Sequence, residues 1–267
     1  MKRVFLTGAS SGIGLSTAEA LVARGDEVWG TSRQPNRLPQ MPRFHPVRLD
    51  LTDPASIDQA FATALSEAGQ FDVLINNAGG GHFGPGEHMS AQQIADEFQT
   101  LVFSHLHLMH LALAAMRTTG GGLIINVTSL ASRLPVPFMA AYNAAKAAMA
   151  SFIMSMQLEL PDPNVRVIDL QPGDISTGFN DAVRKIVEYD SRYESKIAKT
   201  WRAVDRNMKA APKPEVVARA ILNLIDAKNP PPRITIGDTF QTKIAPLIFR
   251  FLPQRVRLWG LKKYYGI

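Results

Sequence analysis

The chain has 267 residues, 46% hydrophobic and 19% charged, a composition that fits one large or two small globular domains and excludes disordered and collagen-like classes. It contains no cysteine, which excludes a disulfide framework, Cys-ligated zinc, an iron–sulfur cluster and a thiol nucleophile. The net charge of +6 is localised: after Asp238 no acidic residue follows, while Lys243, Arg250, Arg255, Arg257, Lys262 and Lys263 do, so the excess describes a tail and not a nucleic-acid-binding surface.

The chain opens with Met1-Lys2-Arg3 and passes at once into Val4-Phe5-Leu6. That run is too short for a secretory signal, and no window reaches the roughly 20 apolar residues of a membrane span, so a cytoplasmic location is expected. Short apolar runs at 2–6, 27–31, 45–49, 72–75, 123–128, 165–170 and 233–236 read as strands. Between them lie helical patterns near 13–24, 54–68, 91–117, 141–159 and 214–227. The alternation predicts an α/β fold: a single Rossmann-like, doubly wound, mostly parallel sheet with helices on both faces, spanning 1–238. Residues 176–213 are long for a connection, and they read as a lid over a site or as a rigid surface excursion. Residues 239–267 form a C-terminal extension in which Ile244, Leu247, Ile248, Phe251 and Leu252 recur at helical spacing beside basic residues. Pro246 suits the first turn of that helix and Pro253 would end it. Its apolar stripe either packs on the domain or another subunit, or lies peripherally on an anionic membrane.

Gly8, Gly12 and Gly14 follow the first strand with Gly-x3-Gly-x-Gly spacing and open a helix. Gly8 can turn tightly, Gly12 leaves room for a pyrophosphate, and Gly14 permits close packing, while the helix N-terminus faces the anion. At the end of the second strand, where an acidic side chain selects NAD, stand Ser32 and Arg33; this favours NADP(H) over NAD(H). Tyr142 and Lys146 lie one helical turn apart, so an ammonium can act on a phenol, and a nearby cation lowers a phenol's pKa.

These motifs, in this order, resemble the short-chain dehydrogenase/reductase family. Asn76-Asn77-Ala78-Gly79 is similar to its NNAG motif, Ser129, Tyr142 and Lys146 to its Ser…Tyr-x-x-x-Lys set, and residues 172–177 to its PG-x-I-x-T segment. The resemblance implies that Tyr142 is the acid/base, that Ser129 hydrogen-bonds the substrate oxygen, and that Lys146 holds the nicotinamide ribose. It also implies dinucleotide contacts from Gly8, Ser10, Ser11, Gly12, Ile13, Gly14, Ser32, Arg33, Asp50, Leu51, Asn77, Ala78, Gly79, Tyr142, Lys146, Pro172, Gly173, Ile175 and Thr177. Residues 79–85 resemble the corresponding loop of hydroxysteroid- and retinol-dehydrogenase-like members. A substrate pocket lined by Phe83, Leu134, Val136, Phe138, Met139 and Phe179 is inherited the same way, and suits a small hydrophobic carbonyl or alcohol. A homodimer or homotetramer is also implied. One position departs from the family: Leu101 stands where an Asn relays protons, and a leucine side chain neither donates nor accepts. An NADP-binding regulator or scaffold with weak or no turnover is therefore the alternative. His105, His107 and His110 read as helix or interface residues, and no metal site is expected.

Overall fold

The computed structural model describes residues 1–161 and 163–267, the Lys243 side chain excepted. In chain order its elements are β1 (Arg3–Leu6), α1 (Gly12–Arg24), β2 (Glu27–Ser32), β3 (Phe44–Arg48), α2 (Pro54–Ala68), β4 (Val73–Asn76), β5 (His82–Phe83), α3 (Ala91–Phe98), α4 (Ser104–Thr118), β6 (Gly122–Val127), α5 (Ala140–Glu159), β7 (Val165–Pro172), α6 (Phe179–Ala182), β8 (Arg184–Lys185), α7 (Glu194–Ala210), α8 (Glu215–Asp226), β9 (Arg233–Ile236), α9 (Ala245–Phe251) and α10 (Gln254–Tyr265). Seven strands form one sheet in the order β3-β2-β1-β4-β6-β7-β9. Every neighbouring pair in it is parallel. The order reverses next to β1, where β4 pairs on the side opposite β2, and crevices at such switch points take ligands.

Alternation along the strands explains the two-sided burial. Phe5, Leu74, Ile124 and Val167 enter one core, which α2, α4 and α5 cover. Val4, Leu6, Val73, Ile75, Ile125 and Ile168 enter the other, which α1 and α8 cover. Successive side chains of a strand point to opposite faces, so strands buried on both sides read as continuous apolar runs. Capping sets the helix starts. Asp53 accepts from the Ala55 N–H with Pro54 in the first turn. Ser90 and Gln93 form a reciprocal capping box for α3.

One expectation needs correction. The single helix over 91–117 is two helices joined by a π-helical turn at Gln99–Phe103. Thr100 Oγ1 donates back to the Asp96 carbonyl and Ser104 Oγ to that of Thr100, a pattern that loosens helical geometry. The excursion over 176–213 is ordered: it carries α6, β8 and α7, and β8 pairs parallel with β5, a two-residue strand too short to be visible in the sequence. The tail forms α9 and α10 with Pro253 between them, where the sequence placed a helix end, and Leu247, Ile248 and Phe251 of its stripe are exposed. Among the described residues no helix is long and apolar enough to cross a membrane.

Candidate active site

After β1 the backbone turns through Gly8 (φ 72°) and Gly12 (φ 54°), a region that favours glycine. A Cβ on Gly8 would stand 2.8 Å from Ala78 Cα, and one on Gly14 would run into the Gly8 carbonyl oxygen. Gly14 thus closes the loop upon itself, in addition to bringing the helix near the sheet. Ser11 takes the N-cap position of α1 without a side-chain capping bond, so no side chain competes for the first-turn N–H groups. Asn77 locks the loop from the neighbouring strand: its Nδ2 donates to the carbonyl of Thr7 at 2.9 Å, and its own N–H donates to Thr7 Oγ1 at 2.8 Å. At the rim, Ser32 Oγ accepts from the Gln34 N–H, and Arg33 is exposed. The Thr52 N–H holds the Asp50 carboxyl below its usual pKa, with help from the nearby charges of Arg33 and Arg48.

Ser129 follows β6 and caps a short turn, where its Oγ accepts from the Ala131 N–H at 3.0 Å. The same side chain lies near enough to the Tyr142 phenol to favour its ionised form. Tyr142 lies in the first turn of α5 and Lys146 one turn on, with Nζ 5.8 Å from the phenol ring centroid. Lys146 is buried, and its Nζ donates to the Val127 carbonyl at 2.8 Å. Burial pushes the lysine down to about 8, against the opposing charges of Asp169 and Glu97. Burial also pushes the Tyr142 phenol up to about 12, against the lowering effect of Ser129. In the chain alone the Lys146 ammonium is directed at a carbonyl, and desolvation dominates the phenol. Asn143 braces the adjoining loop, with Nδ2 donating to the Val136 carbonyl and Oδ1 accepting from the Val136 N–H. Leu101 sits in the π-helical turn, fully buried among Val102, Ala145 and Tyr142.

Beside Tyr142, Phe83, Met139, Val136, Phe138 and Phe179 converge with Val183, Ile197 and Trp201. Five of the six expected pocket residues are therefore neighbours. Leu134 is outside this cluster. The excursion contributes more than Phe179: the Trp201 ring lies edge-on to Phe83 at 4.8 Å, and Phe179 lies 5.7 Å from the Tyr142 ring. Val183, Ile197 and Trp201 escaped the sequence reading because nothing local ties them to Tyr142. Glu97 escaped too, although it stands one turn before Leu101; its signal was that spacing alone.

Segment 172–177 leaves β7 beside this pocket. The Gly173 N–H donates to the Ile236 carbonyl at 2.8 Å, Ile175 is buried, and Thr177 Oγ1 accepts from the Phe179 N–H. The tail reaches it: Gln241 Nε2 donates to Asp174 Oδ2 at 2.6 Å and to the Tyr264 hydroxyl, which also accepts from Asn207 of α7. The three histidines separate. His105 is buried and burial pushes it down to about 3, while His107 pairs with Asp58 at 2.8 Å. Among the described residues no three His, Asp or Glu side chains come together as a metal site.

Comparison with known proteins places the chain in a family. The family model for short chain dehydrogenase covers residues 2–188. A 3-ketodihydrosphingosine reductase of Bacteroides thetaiotaomicron is 30% identical over 266 residues, spanning 99% of this chain and 98% of the relative. The crystal structure of a short-chain dehydrogenase from Streptomyces avermitilis superimposes with a TM-score of 0.83 at 30% identity, covering 98% of this chain and 96% of that one. A short chain dehydrogenase from Burkholderia cenocepacia, solved in complex with NADP, gives 0.71 at 26% identity, over 94% and 98% of the two chains. On the strength of the matched family model and these full-length relatives, the chain belongs to the short-chain dehydrogenase/reductase family.

Proposed function

We propose that this protein is an NADP(H)-dependent oxidoreductase that interconverts a hydrophobic ketone or aldehyde and the matching alcohol, with Tyr142 as acid/base. The observation that carries the reading is that Tyr142 stands one helical turn from buried Lys146 and packs against the apolar cluster of Phe83, Met139 and Val183. The residues fit a nicotinamide dinucleotide: the uncapped first turn of α1 and the positive-φ glycines form a cradle for a pyrophosphate. Ser32 lacks the charge that would repel a ribose 2′-phosphate, and exposed Arg33 can meet it. The B. cenocepacia neighbour's NADP supports that choice. When bound, the cofactor supplies the hydride.

The chain's own residues do the rest. Ser129 and Tyr142 both address the carbonyl oxygen. A raised phenol pKa keeps the proton on Tyr142 until that oxygen becomes more basic as the carbonyl is reduced, and the proton then crosses to it. In alcohol oxidation the same proton returns. Lys146 adds positive charge behind the phenol and can hold ribose hydroxyls. Phe179, Val183 and Trp201 exclude water from the cleft, which supports the lid reading of the excursion.

The relative's name, a reductase of a ketone on a long alkyl chain, supports a lipid-like substrate. The tail supports the same direction. Leu247, Ile248, Phe251 and Trp259 are exposed next to Arg250, Arg255, Lys262 and Lys263, with no carboxylate side chain after Asp238. This face suits an anionic lipid surface. Paired against its own copy, it would bring like charges together. Exposed Phe152, Met154 and Leu158 of α5 support a homo-oligomer built on another face.

The test is nicotinamide oxidation across a panel of ketones, with NADPH and NADH compared. Tyr142→Phe should lower kcat at least ~100-fold while leaving NADPH affinity in place. Equal rates in the two proteins would remove Tyr142 from the mechanism. Tight NADPH binding without turnover on any ketone would favour the regulator reading, which buried Leu101 motivates.

A further inference from the structure

Two carboxylates lie close enough to bear on the Tyr142 phenol, Glu97 and Asp174. Asp174 is engaged by Gln241 of the tail. Glu97 is different. It is 4% exposed, and its two oxygens have unlike surroundings. Oε2 accepts from His82 twice, from the backbone N–H at 3.2 Å and from the ring Nδ1 at 2.9 Å. Oε1 is buried and has no hydrogen-bond partner. Its position is legible from Gly81: a Cβ there would lie 3.1 Å from Glu97 Oε1, 3.2 Å from Met139 Cε and 3.2 Å from Tyr142 Cδ2. A carboxylate oxygen, a methionine and the edge of the Tyr142 phenol thus crowd together beside Gly81, where a side chain would press on all three.

A buried carboxylate oxygen without a partner is costly, and the cost falls when a cation meets it. Two nitrogen-bearing side chains of the chain lie near. His82 already holds Oε2, and the Nζ of Lys146 donates to the Val127 carbonyl instead. The rest of the pocket is aromatic and aliphatic, suited to an alkyl chain but not to a charged group. We infer that Glu97 Oε1 receives a substrate ammonium, so that the ketone reduced beside Tyr142 is a long-chain amino ketone with its amine on a carbon close to the carbonyl. This deepens, and rests on, the oxidoreductase reading above. His82 acts as a positioning residue that fixes the carboxylate, and Gly81 adds no side chain beside it. Burial raises the Glu97 carboxyl's pKa in spite of the His82 hydrogen bond, and an arriving ammonium would favour its charged form.

The experiment compares kcat/KM, at saturating NADPH, for 3-ketodihydrosphingosine and for the same ketone lacking only its amino group. The wild-type protein should prefer the amino ketone by at least ~10-fold, and Glu97→Gln should collapse that preference to within ~2-fold. In a measurement that needs no variant, a long-chain primary amine should inhibit reduction of the neutral ketone ~10-fold more tightly than the corresponding alcohol. Equal wild-type rates on the two ketones, or a preference that survives Glu97→Gln, would overturn the assignment. So would an equal loss on both ketones, which would mean that the carboxylate serves Lys146 and Tyr142 and not the substrate. Reduction of the neutral ketone with no preference leaves the oxidoreductase reading standing; turnover of neither ketone removes both.

Discussion

The two halves of the cleft are built from different materials. On the nucleotide side the backbone is the working surface: Gly8, Gly12 and Gly14 bring main-chain groups where side chains would clash, and Asn77 and Thr7 hold them by hydrogen bonds. On the substrate side the side chains are the surface, drawn from Phe83, Glu97, Met139 and Tyr142 and from the excursion at Phe179, Val183 and Trp201. A backbone cradle for a phosphate can be written within eight consecutive residues. A pocket for a particular substrate needs residues far apart in sequence, any of which can change without disturbing the others.

That contrast can be broken at its tightest point. Gly14→Ala places a methyl group against the Gly8 carbonyl, where neither backbone can yield cheaply. The variant should lose about 3 kcal/mol of stability and at least ~10-fold in NADPH affinity, by thermal melting and titration. A normal melting temperature with normal affinity would show that the loop is more plastic than its packing implies.

His105 sharpens the same comparison from beneath. It is buried on the nucleotide side, its carbonyl accepting from Asn76 Nδ2, and burial pushes its pKa from 6.5 to about 3. As pH falls through 6.5 the unfolded chain takes up a proton that the folded chain refuses. Its contribution to stability is therefore present above pH 6.5 and lost progressively toward pH 3. The loss is about 1.4 kcal/mol per pH unit within that window. His105→Gln should flatten the acid slope of a melting-temperature profile; an unchanged slope would place the acid sensitivity elsewhere.

The smallest effect on stability belongs to the tail. Leu247→Ser combined with Trp259→Ser changes exposed side chains, and should cost less than about 0.5 kcal/mol. The same variant should lose most of its co-sedimentation with vesicles containing anionic lipid. Retained vesicle binding, or a change in oligomeric state instead, would assign this face to protein contact.

Much of the molecule was legible before its structure. The seven main strands stand where the apolar runs placed them, because strands buried on both faces have no freedom to be polar. Tyr142 and Lys146 face one another's side of α5 because helical spacing leaves no alternative, and Gly8 could be read because only glycine adopts its φ cheaply. Other features had no local signature. The break at Gln99–Phe103 depends on back-bonded hydroxyls in an apolar pattern that looks continuous. The phenol's raised pKa depends on burial by Phe179 and its neighbours, which outweighs a lysine that the sequence places correctly but cannot aim. Sequence by itself determined the sheet, the positive-φ glycine loop after β1 and the one-turn spacing of Tyr142 and Lys146, since each is a matter of periodicity or of steric permission within a few residues. Only the tertiary structure decided that Glu97, Trp201 and Tyr142 share one cleft, because desolvation and contact between distant segments exist only once the chain has closed.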